Sequence, residues 1–283
     1  MVPYFPQPVV HLGPLQIHAF GVLAAIAVIV GGRSILMRAH RKNIPAEEMF
    51  RLCFWVYIAA MLGAYLSKGI IDDFPAVLSD PARILRVPQG VRSVGGITAG
   101  FLAAVVWCRI RGLSLFQSMR RMDIIAYSLP IAWMIGRLGC ALAHDHKGFS
   151  STSWLAVNFP EGPRWDLGLI EFLFLAGMVI AFRWLDRRPR SPGFFFGLYG
   201  VVYGAFRIWL DTLHMQPMRF YGGIAGVAAG LAGWAVMWWL ERSRSSALGI
   251  TLDGRGAHAL VCSVGTHADA LTTSSARDSN FSA

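Results

Sequence analysis

The sequence predicts an all-α integral membrane protein with about seven transmembrane helices. Three observations point there: seven apolar segments long enough, or nearly so, to cross a bilayer; a scarcity of charge; and Lys and Arg gathered mainly in alternate links. Hydrophobic residues make up 55% of the 283 and charged residues only 15%, against about 25% charged in a typical soluble domain. Mean hydropathy is +0.49. Ten Trp and eighteen Phe add bulk suited to lipid-facing surfaces and their interfaces.

A bilayer core about 30 Å thick needs about 20 mostly apolar residues per helix. The segments run roughly Leu15–Gly32, Leu52–Ile71, Gly95–Ile110, Ile124–Ala143, Leu167–Leu185, Phe194–Leu213 and Gly223–Leu240. The third is short, and the fourth and sixth contain charges. Residues Met1–Pro14 hold prolines but no Lys or Arg, unlike a cleavable signal peptide, so the first apolar run reads as a retained helix. The first-to-second link carries Arg33, Arg38, Arg41, Lys42 and Arg51. The third-to-fourth carries Arg111, Arg120 and Arg121, the fifth-to-sixth Arg187, Arg188 and Arg190, and the segment after the seventh Arg242 and Arg244. The fourth-to-fifth link has only Lys147 and Arg164, and the sixth-to-seventh only Arg219; the second-to-third, with four basic residues, breaks the alternation. This bias predicts an outside N-terminus and a cytoplasmic C-terminus. It also accounts for the net charge of +10, so no nucleic-acid partner is expected. Residues 1–242 read as the transmembrane domain. Residues 243–283, rich in Ser, Ala, Gly and Thr without helical period, read as a disordered tail. Cys53, Cys108, Cys140 and Cys262 form no CxxC pair, so neither a zinc site nor a disulfide framework is signalled.

Charge at bilayer depth costs at least about 2.5 to 3.5 kcal/mol, so each such residue faces a cavity or a partner and is a functional candidate. Arg137 has no acidic residue at i±3 or i±4 and needs a partner elsewhere; Glu171 or Asp166 could supply it. A lipid phosphate also suits it, because a guanidinium fork matches phosphate geometry. Arg207 and Asp211 share one helix face at i, i+4, as a functional pair or as an ion pair that only neutralises itself. Gly95 and Gly96 admit a close headgroup or a close neighbouring helix. His144, Asp145 and His146 form a run suited to acid/base chemistry or to a metal, or a solvated loop.

These residues resemble a known family. Gly-Pro-Leu-x-Ile-His-x-Phe-Gly around His18 and Gly21, the pair Gly95–Gly96, Ile135-Gly136-Arg137-Leu138-Gly139, and Tyr203-Gly204-Ala205-Phe206-Arg207 with Asp211 are similar in order and spacing to prolipoprotein diacylglyceryl transferases. The resemblance covers about residues 12–240. It implies a multi-pass protein of the bacterial plasma (inner) membrane. It also implies transfer of the diacylglyceryl group of phosphatidylglycerol to the lipobox cysteine of a lipoprotein precursor's signal peptide, releasing glycerol-1-phosphate. No cofactor or metal is implied. Carried over residue by residue, Arg137, Arg207, Asp211, Asp145 and His144 are the catalytic candidates. Gly95, Gly96, Gly139, Gly148, Glu171 and His18 are the substrate-binding ones. The chain departs from the family at Val94, where His is frequent before the paired glycines, at Phe20 for Tyr, and at Cys140 for Asn. In the stretch Trp165–Glu171 only Leu169 and Glu171 keep the family's residues.

Two alternatives stand beside transfer. A lipid-binding or lipid-moving membrane protein would use the same arginine clamp without chemistry. A small-solute transporter would show repeat symmetry, and the sequence has no internal repeat.

Overall fold

A computed structural model describes residues 1–12, 15–72, 74–80, 93–215 and 221–247. It is mostly helical: α1 (Ala19–Arg41), α2 (Ala46–Asp72), a short α3 (Phe74–Ser79), α4 (Ser93–Ile110), α5 (Leu115–Ala143), α6 (Leu167–Leu185), α7 (Phe194–Asp211) and α8 (Tyr221–Ala247). Five helices are long and apolar enough to cross a membrane: α1, α2, α5, α6 and α8. The apolar part of α4, Gly95–Ile110, is shorter, and α7 carries Arg207 and Asp211 within its 18 residues.

Local chemistry sets the helix ends. Ser114 and Gln117 form a reciprocal capping box at the start of α5, with bonds of 3.0 and 3.3 Å. Asp166 caps α6 by accepting from the Leu169 amide at 3.1 Å. The cap of α7 comes from another helix: Asp123 of α5 accepts from the amides of Phe195 and Phe196 at 2.7 and 3.1 Å. A buried carboxylate thereby satisfies amides that otherwise lack partners.

The helices pack mainly as α2 on α4, α7 on α8, α1 on α5 and α5 on α6. Two of these seams are built from small residues, which let backbones approach closely. A Cβ on Gly200 would lie 2.7 Å from the Gly226 carbonyl oxygen across the α7–α8 seam. Along the α2–α4 seam, Gly95 and Gly96 face Gly63, Ser67, Ala60 and Ala64.

Strands absent from the sequence-based expectation appear at one end of the bundle. Residues Leu15–His18, expected to begin the first span, pair instead as β3 with β2 (Val9–Leu12) in an antiparallel hairpin. Helix α1 therefore starts at Ala19 and continues to Arg41. A four-stranded sheet has the order β1 (Val2–Pro3), β5 (Val157–Phe159), β6 (Gly162–Asp166), β4 (Lys147–Ser150), with β1 parallel to β5 and the rest antiparallel. An isolated bridge joins Gly148 to His214, and the Phe149 amide donates to the Leu213 carbonyl at 3.0 Å. The segment after α5 is thus tied to the end of α7. Helix α8 runs through Ala247, past the expected start of the tail at 243. The tail's remaining residues, 248–283, lie outside those described.

Candidate functional site in the helix bundle

At the sheet end, α5, α6 and α7 bring four polar side chains onto one carboxylate. Glu171, 1% exposed, lies one turn into α6. Its Oε1 accepts from Trp133 Nε1 at 2.9 Å and from the Tyr203 hydroxyl at 2.7 Å. Arg137 Nε reaches the same oxygen at 3.0 Å, and Arg207 reaches Oε2 at 3.3 Å. Arg207 also pairs with Asp211 at 2.9 Å, one turn along its own helix. The carboxylate thus fixes two guanidinium groups from different helices side by side. Buried charge persists only where it is paired and hydrogen-bonded, and this hub meets that condition.

The partner that Arg137 requires is therefore Glu171. Asp166 points elsewhere: its side chain accepts from His144 Nδ1 at 2.6 Å while capping α6. Burial raises the Asp166 carboxyl above its ordinary range, with the His144 bond opposing. His144 ends α5 in a left-handed conformation, φ +50°. Its ring is enclosed by Tyr4, Phe5 and Phe159 at centroid distances of 5.0, 5.1 and 5.3 Å.

Asp145 and His146 sit just past that turn. Asp145 accepts from His146 Nδ1, and hydrogen bonding to Asp145 and then Cys140 raises the imidazole to about 9. Arg137 Nη1 lies 3.8 Å from the Cys140 sulfur. His214 packs beside His146 with ring centroids 6.3 Å apart. Burial first, then the charges of Arg207 and His146, lower His214 to about 4.

A cavity of about 790 Å³ opens beside this group, lined among others by His18, Phe20, Gly21, Ala143 and Asp145. The N-terminal hairpin and the end of α5 form its walls. Gly139 sits where α1 crosses α5: a Cβ there would meet the Phe20 ring at 3.1 Å. Gly148 has the Leu213 carbonyl oxygen 2.7 Å from where its Cβ would be, so it permits the tie between the α5 and α7 ends. The structure thus groups Arg137, Arg207, Asp211 and Glu171 as one hub. Asp145, His18 and Gly139 stand near the neighbouring cavity. Gly95 and Gly96 instead pack α4 on α2. Val94 falls within α4.

Sequence reasoning gave no role to Trp133 or His214, and quoted Tyr203 only as the opening residue of the Arg207 block. A clue existed for Trp133 and Tyr203: each lies four residues before a membrane arginine, on the same helix face. No local pattern marks His214, whose place depends on the Gly148 bridge.

The chain is similar to known proteins over most of its length. The family profile described as prolipoprotein diacylglyceryl transferase matches residues 7–239. A phosphatidylglycerol–prolipoprotein diacylglyceryl transferase of Azotobacter vinelandii is 29% identical over 270 residues, 90% of this chain and 95% of that protein. Its namesake in Ectopseudomonas mendocina is 29% identical over 269 residues, 90% and 94%. The one in Pseudoalteromonas atlantica is 26% identical over 275 residues, 90% and 98%. With the profile spanning most of its length, the chain belongs to the prolipoprotein diacylglyceryl transferase family.

Proposed function

We propose that this transferase moves the diacylglyceryl group of phosphatidylglycerol onto the cysteine thiol of a bacterial lipoprotein precursor. The observation that carries this is the pairing of Arg137 and Arg207 on Glu171. The same clamp would serve a protein that only binds lipid. That alternative is not favoured, because relatives matching nearly end to end are named for the transfer.

The chemistry follows from the charges. The precursor's thiol reacts as thiolate and attacks the glycerol methylene that bears the phosphate ester. The S–C bond forms, the C–O bond breaks, and glycerol-1-phosphate departs with the bonding pair. Two guanidinium groups on the phosphate oxygens bind the lipid and stabilise the charge that grows on the leaving group. Glu171 and Asp211 hold those groups in place rather than exchange protons. The thiol proton must go to a neighbour. With Val94 where the family often has His, Asp145, which lines the cavity, and its neighbour His146 are the candidates, since His144 is engaged by Asp166. Gly139 and Gly148 let the elements around the site pack closely, and His18 lines the approach.

Both substrates are membrane-bound, so the cavity beside His18 and Asp145 is the natural lateral route. The same reading takes α1, α2, α4, α5, α6, α7 and α8 as seven spans in a plasma (inner) membrane. The N-terminus is then outside and the C-terminus cytoplasmic, as the distribution of Lys and Arg requires. The transferase domain then closes with the end of α8 at Ala247, and the low-complexity tail follows.

The test is complementation in cells depleted of their own transferase, scored by lipidation of a reporter precursor. Wild-type chain should lipidate the reporter, and Arg137→Ala and Arg207→Ala should each cut the rate by about 10²- to 10³-fold. A well-expressed wild type that leaves the reporter unmodified would sink the proposal and leave lipid binding as its successor.

A further inference from the structure

Beside the arginine hub, the end of α5 and the residues just after it bring a thiol, an imidazole and a carboxylate together. The Cys140 sulfur, an Asp145 carboxylate oxygen and a His146 ring nitrogen all fall within 4.8 Å of one another. Zinc takes sulfur at about 2.3 Å and imidazole nitrogen at about 2.0 to 2.1 Å, so small side-chain rotations bring such donors onto one ion. A fourth candidate lies next to them, outside that 4.8 Å group: the Nε2 of His214 is buried and lacks a hydrogen-bond partner among the described residues, and its ring centroid is 6.3 Å from that of His146.

We propose that Cys140, His146 and His214, with Asp145, form a binding site for a thiophilic divalent cation of the zinc type. The fold builds this juxtaposition. Residues 140–146 close α5, and the Gly148–His214 bridge and the Phe149–Leu213 hydrogen bond hold the end of α7 against them. The donor types agree with the ion: thiolate and imidazole suit zinc and disfavour magnesium or calcium. Asp145 on His146 Nδ1 leaves the ring's other nitrogen for the metal. A carboxylate fixing a ligating histidine is the common outer support of such ions.

The electrostatics permit it. Arg137 and Arg207 are the nearby cations, and Glu171 and Asp211 answer them at 3.0, 3.3 and 2.9 Å. The thiolate and Asp145 carboxylate then balance the incoming double charge. Where the family has Asn at position 140 no soft ligand is available, so the site is particular to chains with this cysteine.

The experiment uses the full chain, untagged, in detergent micelles after chelator treatment and desalting. Zn²⁺ is titrated against a chromophoric chelator, and Co²⁺ is added separately to look for a thiolate-to-metal charge-transfer band. Wild type should hold one Zn²⁺ per chain and show the band. Cys140→Asn, which installs the residue usual in the family and should therefore fold, should lose the band and the tight binding. His214→Ala should weaken binding, and Asp145→Asn should do so by about 10- to 100-fold. Cys108→Ser, altered at a cysteine buried in another part of the bundle, should behave as wild type. Equal Zn²⁺ affinity in wild type and Cys140→Asn, or a charge-transfer band that survives Cys140→Asn, would overturn the site. Neither readout depends on lipid transfer.

Discussion

Buried charge is handled differently at the two ends of the helix bundle. Away from the sheet, Arg38 of α1 meets Asp186 after α6 in a two-pronged pair at 2.8 and 2.9 Å. Its guanidinium lies 3.6 Å above the centroid of the Tyr127 ring. Nearby, Arg121 reaches Glu48 at 2.8 Å, and Asp123 is occupied by two amides of α7. Each side chain there meets its own partner, as in a structural lock, although the buried Nε of Arg38 has no hydrogen-bond partner among the described residues. At the sheet end one carboxylate is shared by two arginines, a tyrosine and a tryptophan. One arginine there also turns a nitrogen toward a thiol, a weak acceptor. Charge is balanced overall, but the guanidinium groups retain hydrogen-bonding capacity. A one-to-one pair holds helices together, whereas a shared carboxylate positions cations for something that arrives.

The comparison is sharpest at the two carboxylates. Removing one partner of a buried pair costs about 3 to 5 kcal/mol. Glu171→Gln should incur that cost and also release both arginines, lowering lipidation by about 10²- to 10³-fold per folded molecule. Thermal unfolding in detergent, read beside reporter lipidation, separates the two effects. Asp186→Asn should lose a similar amount of stability, about 3 to 5 kcal/mol, while the rate per folded molecule stays at the wild-type value. A Glu171→Gln protein that is only less stable, or an Asp186→Asn protein that is stable but inactive, would erase the distinction between the ends.

A smaller effect probes how the hub is tuned. The Tyr203 hydroxyl donates to Glu171 at 2.7 Å, and a hydrogen bond to a charged group contributes about 1.5 to 3 kcal/mol. Tyr203→Phe keeps the ring stacked on Tyr199, 5.1 Å away, and removes only the donor. Transfer should fall by less than in Glu171→Gln, with stability reduced by no more than that hydrogen bond. Unchanged transfer would make Tyr203 a packing residue alone.

How much of this could be seen beforehand follows from sequence distance. The apolar segments, Arg137, and the i, i+4 pair of Arg207 and Asp211 are local features, and their helical placement holds. Glu171 was a candidate because it is charged and lies one turn into an apolar run. That it joins both arginines, over separations of 34 and 36 residues, needs the fold. The hairpin escaped notice because Leu15–His18 is apolar enough to pass for the start of a helix, and only pairing with Val9–Leu12 decides otherwise. Gly95 and Gly96 illustrate the opposite difficulty: a glycine pair permits either a ligand or a neighbouring backbone, and that α2 packs on this pair is visible only in the fold. Arg38 and Asp186, 148 residues apart, carried no local mark of pairing.

The smallest expected effect tests whether burial, rather than pairing itself, gives the locks their strength. Arg51 and Glu47 form an i, i+4 ion pair on α2 with side chains 60% and 74% exposed. Water screens both partners and holding two long side chains in one geometry costs entropy, so such a pair contributes about 0.3 to 0.5 kcal/mol. Arg51→Ala should therefore shift unfolding by no more than that and leave lipidation untouched. A loss there approaching that of Asp186→Asn would mean that ion pairs stabilise this bundle irrespective of depth. The difference between its ends would then lie only in where the arginines happen to fall.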